Sequence, residues 1–109
     1  MKKLVALTFL AFSISATATT WNNVPLIDKN CSRKEAANPD AHPRNCALNC
    51  ASSGYGILTS DGKFLKFDKA GDEQSLKLLK ASNKKDHLRV TVDGEEHGDT
   101  IAVKSIKMD

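Results

Sequence analysis

The stretch that decides the fold is YGILTSDGKFLKF, which runs from Tyr55 to Phe67. Two apolar segments flank Asp61-Gly62, a dipeptide that permits the positive φ angles of a two-residue hairpin turn. The stretch therefore predicts two antiparallel strands, Tyr55–Ser60 and Lys63–Phe67.

The chain after this hairpin predicts one helix and two further strands. Asp72–Lys80 has acids in its first turn and lysines towards its end, as the helix dipole favours. Two segments with alternating apolar residues follow, and the glycines of Asp93-Gly94 and Gly98-Asp99 bracket a turn between them. The residues expected in the core are Leu65, Phe67, Leu76, Leu79, Val90, Val92, Ile101 and Val103.

The chain before the hairpin predicts a first strand and a helical excursion. Trp21–Ile27 has the composition of a strand, and Pro25 confines it to an edge or a bulge. We expect a helix that starts at His42-Pro43 and stops near Gly54. The order β, helical excursion, β, β, α, β, β predicts a mainly β fold with short helices. The form is a small OB-like five-stranded barrel or a rolled antiparallel sheet.

The first residues predict export. Lys2 and Lys3 precede the apolar run Leu4–Phe12, and Ala16-Thr17-Ala18 is a small-x-small cleavage pattern. The run is shorter than the roughly 20 residues that cross a bilayer. We therefore predict a signal peptide over residues 1–18, cleavage near Ala18, and one periplasmic or secreted domain over residues 19–109 without a membrane anchor.

The charge balance after cleavage disfavours a nucleic-acid partner. Removal of Lys2 and Lys3 leaves 14 basic against 13 acidic residues, so the net charge falls from +3 to +1. No basic stripe interleaved with aromatic residues remains. We expect a protein or a small ligand as the partner instead.

Several short motifs resemble a family of small exported bacterial proteins of unknown function. The chain shares with it a Trp and an Asp before a first Cys, a C-x3-C, a strand–DGK–strand hairpin and a final strand near the C-terminus. In this sequence they are Trp21, Asp28, Cys31, Cys46-Ala-Leu-Asn-Cys50, Ser60-Asp-Gly-Lys63 and Asp99–Ile106. The resemblance implies an OB-like fold and a grouped cysteine corner, and it carries over no catalytic residues.

All three cysteines and one histidine fall in the excursion, residues 28–53. We call Cys31, His42, Cys46 and Cys50 the cysteine corner. In a helix, residues four apart share a face, so His42, Cys46 and Cys50 would form a row. If Cys31 folds over that row, three thiolates and an imidazole make a ligand set for Cu(I) or Zn(II).

A disulfide is the first-ranked explanation of the same corner. In an oxidising compartment, Cys31 paired with Cys46 or Cys50 would close a loop of roughly 15 to 20 residues and stabilise the fold by about 3 kcal/mol. One thiol would remain free. Thiol–disulfide redox chemistry ranks third because the chain has no C-x-x-C.

The sequence assembles no catalytic constellation, so we predict a binding or interaction domain and not an enzyme. No nucleophile elbow or Gly-rich phosphate loop occurs, and no cofactor is implied beyond the Cu or Zn alternative. Trp21 and Tyr55 are the candidates for a ligand surface, although both residue types are more often core. Asp28 is expected to cap a turn.

Overall fold

The computed structural model describes residues 18–109. The predicted signal peptide therefore lies outside the described residues, except for Ala18. No helix in the described part of the chain is long and apolar enough to cross a membrane. The strands and α-helices are β1 (Ala18–Asp28), α1 (Arg44–Asn49), β2 (Tyr55–Leu58), β3 (Phe64–Phe67), α2 (Lys69–Ala81), β4 (Arg89–His97) and β5 (Thr100–Met108).

The five strands form a closed barrel, which confirms the predicted OB-like architecture. The strand order is β1-β2-β3-β5-β4, and β4 pairs with β1 to close the sheet. The β3–β5 pair is parallel and the other four pairs are antiparallel. Helix α2 connects β3 to β4, and the long excursion connects β1 to β2.

The β2–β3 hairpin is present, but its turn is longer than the predicted two residues. The backbone N–H of Thr59 donates to the carbonyl of Lys63 at 2.9 Å, and the N–H of Gly62 donates to Thr59 at 2.9 Å. The side chain of Thr59 also bonds to Asp61. The Gly62 N–H closes a β-turn over residues 59–62, and Gly62 itself has positive φ, so the loop is longer than two residues and the strands stop at Leu58 and Phe64.

Two bulges shape the longer strands. The β1–β4 register shifts between Trp21 and Val24, next to Pro25, as a strand proline requires. In the β4–β5 pair, Asp93 faces Ser105 whereas Gly94 faces Val103. The extra residue, Lys104, lies in β5, and this bulge explains why the apolar alternation of β5 changes phase after Val103. The turn between β4 and β5 is shorter than the sequence predicted, because Asp93 and Gly94 lie inside β4 and Gly98 and Asp99 form the turn.

The barrel interior holds the predicted core. Leu65, Phe67, Leu79, Val90, Val92, Ile101 and Val103 are all buried. Leu76 is half-buried and packs against this cluster from α2. Helix α2 begins three residues before the predicted start because Asp68 caps it, accepting a hydrogen bond from Gly71 N–H at 3.0 Å.

The excursion contains helical turns, but it lacks the predicted row of His42, Cys46 and Cys50. Helix α1 begins at Arg44, with Pro43 as its N-cap, so His42 lies before the helix in extended backbone. Cys50 follows the helix with φ −99° and ψ 20°. Three single-turn 3₁₀ helices also lie in the excursion, at Lys29–Cys31, Pro39–Ala41 and Ala51–Ser53.

Candidate functional site: the cysteine corner and the open face

A buried carboxylate organises the cysteine corner. Asp28 ends β1 with no exposed surface, and its Oδ1 lies 2.7 Å from Nε2 of His42, which is 3% exposed. Its Oδ2 accepts a hydrogen bond from the backbone N–H of Cys31 at 3.0 Å. Asp28 therefore caps the first 3₁₀ turn, as the sequence predicts, and also fixes the chain that enters α1.

Two of the three cysteines meet beside this carboxylate. Cys31 and Cys50 lie 4.5 Å apart. Their sulfurs and an oxygen of Asp28 all lie within 4.8 Å of one another. Asn30 donates a side-chain N–H to Sγ of Cys50 at 3.6 Å. The geometry therefore brings together two soft ligands and one hard ligand.

Burial and a neighbouring negative charge keep the Cys31 thiol protonated. Desolvation and then the Asp28 carboxylate raise the pKa of Cys31 to about 11, and Cys50 contributes in the same direction. A thiol with that pKa is a poor nucleophile near neutral pH, because the thiolate is the reactive form.

The corner differs in membership from the set expected from spacing. Cys31 and Cys50 are in it, whereas Cys46 is exposed and lies outside the Asp28–Cys31–Cys50 group. His42 binds Asp28 instead of forming a row with the cysteines. The signal for Asp28 was present in the sequence, because an Asp that precedes a tight turn commonly accepts from the backbone N–H a few residues later.

The two candidate ligand-surface aromatic residues have different environments. Tyr55 is 1% exposed, and its hydroxyl donates to the carbonyl of Ala47 at 2.8 Å. It is a core residue that supports α1, so its assignment to a ligand surface was wrong. Trp21 is half-buried and lines a surface groove.

The excursion and the β2–β3 hairpin enclose a concave surface of the barrel. A first groove, of about 850 Å³, has buried Leu58 at its base and the cations Lys29 and Arg33 in its lining. The other lining residues of this groove are Asn30, Ser32, Ala36, Ser53, Gly62 and Phe64.

A second groove, of about 790 Å³, adjoins the first. The two share Ala36, Leu58 and Gly62. Its other lining residues are Thr20, Trp21, Asn22, Asn23, Val24, Pro25, Pro39, Thr59, Ser60 and Arg89. We call the continuous surface made by both linings the open face.

Two of the three cations that line the open face have no charged partner in the described part of the chain. Arg89 is neutralised by Asp40, with Nε–Oδ1 at 2.9 Å and Nη2–Oδ2 at 3.0 Å. Among the described residues, no hydrogen bond or ion pair engages the side chains of Lys29 or Arg33, and no Asp or Glu lines either groove. The open face therefore carries two uncompensated positive charges.

The aromatic ring of Phe64 lies close to the backbone of β2. A Cβ added to Gly56 would lie 2.6 Å from Cε2 and Cζ of Phe64 and 2.2 Å from the carbonyl oxygen of Leu65. Only glycine leaves room for the Phe64 ring to cover the backbone of β2. The half-buried Phe64 thereby keeps one side towards the groove that it lines.

Comparison of the chain with protein-family models, curated proteins and solved structures finds no match.

Proposed function

We propose that this protein is an exported, non-catalytic binding domain that holds a ligand on its open face, with the excursion tied by a Cys31–Cys50 disulfide. The observation that carries the proposal is the position of the two cysteines. They lie together at the base of the loop whose residues 29–36 form one wall of the open face. A tie at this point would hold that wall in place before any ligand arrives.

The distance between the cysteines supports this pairing. A separation of 4.5 Å exceeds an S–S bond of about 2.05 Å by an amount that side-chain rotation can close. The bond would close the loop of residues 31–50, and a loop of about 20 residues is worth about 3 kcal/mol in the chain-entropy description. Cys46 is exposed and would remain as the free thiol.

The chemistry of the open face supports binding over catalysis. Its two grooves are lined by amides, hydroxyls, cations and apolar side chains, without a histidine, cysteine or carboxylate. General acid–base and nucleophilic catalysis depend chiefly on those missing groups.

The test is a chemical description of the protein recovered from the periplasm. We expect an N-terminus close to Thr19, an intact mass two hydrogens below that of the reduced chain, one free thiol at Cys46 and no stoichiometric metal. Peptide mapping should identify Cys31 and Cys50 as the bonded pair. Three free thiols without bound metal would contradict the tie.

A soft-metal site is the second candidate function, and one specific observation favours it. The ligand atoms of Asp28, Cys31 and Cys50 are grouped within 4.8 Å, and two thiolates with a carboxylate suit Zn(II), or Cu(I) through the sulfurs alone. His42 would act as a positioning residue, since its Nε2 bonds the carboxylate.

Variants separate this candidate from the disulfide, which uses the same sulfurs. Reduced protein is titrated with Zn(II) or Cu(I) against a competing chelator. Cys31→Ser and Cys50→Ser should each abolish tight binding, whereas Cys46→Ser should retain it. Equal affinity in the wild type and the Cys31→Ser/Cys50→Ser double variant would exclude the metal function.

Thiol–disulfide exchange, the third alternative, has less support. The raised pKa of Cys31 leaves little thiolate for attack at neutral pH.

A further inference from the structure

The open face consists of two adjoining grooves. Its two grooves, of about 850 and 790 Å³, each have the size of a small-molecule site, and they are continuous through Ala36, Leu58 and Gly62. A compact ligand would fill one groove. Two adjoining grooves suit an extended chain that crosses both.

The charges and polar groups define the chemistry of that chain. Lys29 and Arg33 lie in the first groove without a counter-charge, and guanidinium pairs well with a planar carboxylate. In the second groove, the exposed side-chain amides of Asn22 and Asn23 make no hydrogen bond within the described structure. The face therefore offers charge recognition at one end and neutral hydrogen bonding at the other.

Each groove also presents an aromatic side chain. Phe64, whose ring lies close to Gly56, lines the first groove, and half-buried Trp21 lines the second. A sugar ring has an apolar face that packs on an aromatic ring, and its hydroxyls bond to amides. Nucleic acid fits less well, because two free cations are far fewer than the 6–10 phosphate contacts of a strong binder.

We infer that the open face binds an acidic polysaccharide: Lys29 and Arg33 pair with its carboxylates, and Phe64 and Trp21 pack against its sugar rings. The inference rests on the binding function proposed above and names its substrate class. It requires no catalytic step and leaves the ligand covalently unchanged.

Four polymers test the inference on the disulfide-bonded mature chain. Polygalacturonate carries both the charge and the sugar ring. Its fully methyl-esterified form keeps the ring without the charge, and poly-L-glutamate keeps the charge without the ring. Oligo-dT tests for a nucleic-acid site. Trp21 is the only tryptophan of the chain, so its fluorescence reports occupancy of the second groove directly.

We expect polygalacturonate to bind most tightly and to weaken as salt is raised. Lys29→Gln and Arg33→Gln should each weaken it by about three- to tenfold and reduce the salt dependence. Phe64→Leu should weaken binding with an unchanged salt dependence. Lys77→Gln removes the same charge from an exposed position on α2 outside both grooves, and should have no effect. Circular dichroism confirms that each variant is folded.

The other outcomes overturn the inference in distinguishable ways. Equal binding of the methyl-esterified polymer, lost in Phe64→Leu, would keep the binding function of the face but refute recognition by charge. Tighter binding of poly-L-glutamate or oligo-dT would replace the ligand class. The inference would be refuted if polygalacturonate did not bind, or if Lys77→Gln and Arg33→Gln lost the same affinity for it. Neither result would bear on the disulfide, which the mass and thiol measurements test separately.

Discussion

Asp28 and His42 form a buried pair, with Oδ1 and Nε2 2.7 Å apart and side chains 0% and 3% exposed. The pair joins the last residue of β1 to the segment that precedes α1, 14 residues later. Asp28 also accepts a hydrogen bond from the N–H of Cys31, so one carboxylate positions both Cys31 and His42. The buried contacts of Asp28 therefore belong to the structural framework of the folded chain.

Asp28→Ala should lower the free energy of unfolding by roughly 3 kcal/mol, measured by denaturant titration. The substitution leaves His42 and the Cys31 N–H buried without a hydrogen-bond partner. Each group then pays its desolvation penalty without compensation. The matched control is Asp86→Ala, which removes the exposed partner of His87 and should leave stability unchanged. Equal effects of the two substitutions would contradict the structural role of Asp28.

The proposed disulfide predicts different roles for the three cysteines. In oxidised protein, Cys31→Ser and Cys50→Ser should each lower the free energy of unfolding by about 3 kcal/mol, because the unfolded chain regains its loop freedom. Cys46→Ser should be close to neutral, since its side chain is exposed. Reduction of the wild type should lower its stability to that of the Cys31→Ser variant; a stability independent of reductant would rule out the tie.

In reduced protein, Cys31 should react with iodoacetamide more slowly than exposed Cys46 at pH 8. Its rate should keep rising with pH towards 11, because the pKa of Cys31 is raised to about 11 from an ordinary value of 9.0. Site-resolved mass spectrometry measures both rates, and the same thiols in urea provide the unfolded reference. Matching rates for Cys31 and Cys46 in the folded protein would contradict the raised pKa.

The raised pKa of Cys31 also predicts how the stability of the reduced protein changes with pH. A raised pKa means that the folded state favours the neutral thiol. The contribution of the neutral Cys31 thiol to the free energy of unfolding is therefore complete below the unfolded-state pKa near 9.0. It is lost as pH rises through about 11. Reduced protein should become less stable across that window, and Cys31→Ser should show a smaller change.

The fold was predictable from local signals, and the site was predictable only in part. The hairpin around Asp61-Gly62 and the alternation of Val90 and Val92 follow from short segments of sequence, and the barrel confirms the hairpin and the burial of both valines. The length of the turn depended on hydrogen bonds between Thr59 and Lys63, which residue type alone does not determine.

The position of Pro43 decides whether His42 lies beside the cysteines. A helix with Pro43 at its first position would have placed His42 next to Cys46 and Cys50. With Pro43 as the N-cap, His42 leaves the helix and reaches Asp28. Both positions are compatible with proline, so tertiary contact decides between them. Tertiary contact also decides the environment of Tyr55, which is buried with its hydroxyl bonded to the carbonyl of Ala47 in α1.

A final prediction concerns the contact between α2 and the barrel. Gly71 lies in the first turn of α2, where alanine would raise helix propensity by about 0.5–1 kcal/mol. An added Cβ would lie 2.6 Å from Cγ2 of Val103 and 2.7 Å from Cβ of Phe67, both of them barrel residues. The helix would have to move away from the barrel, and overpacking of this kind costs about 1–3 kcal/mol.

Gly71→Ala should therefore destabilise the protein although it favours the helix, whereas Glu73→Ala, exposed on the same helix, should be neutral or slightly stabilising. Denaturant midpoints of the two variants measure the difference. If Gly71→Ala were as stable as Glu73→Ala, α2 would not pack against Val103 and Phe67 as closely as the structure shows. Val103→Ala should recover part of the loss in the double variant, because it removes the methyl group nearest the new Cβ.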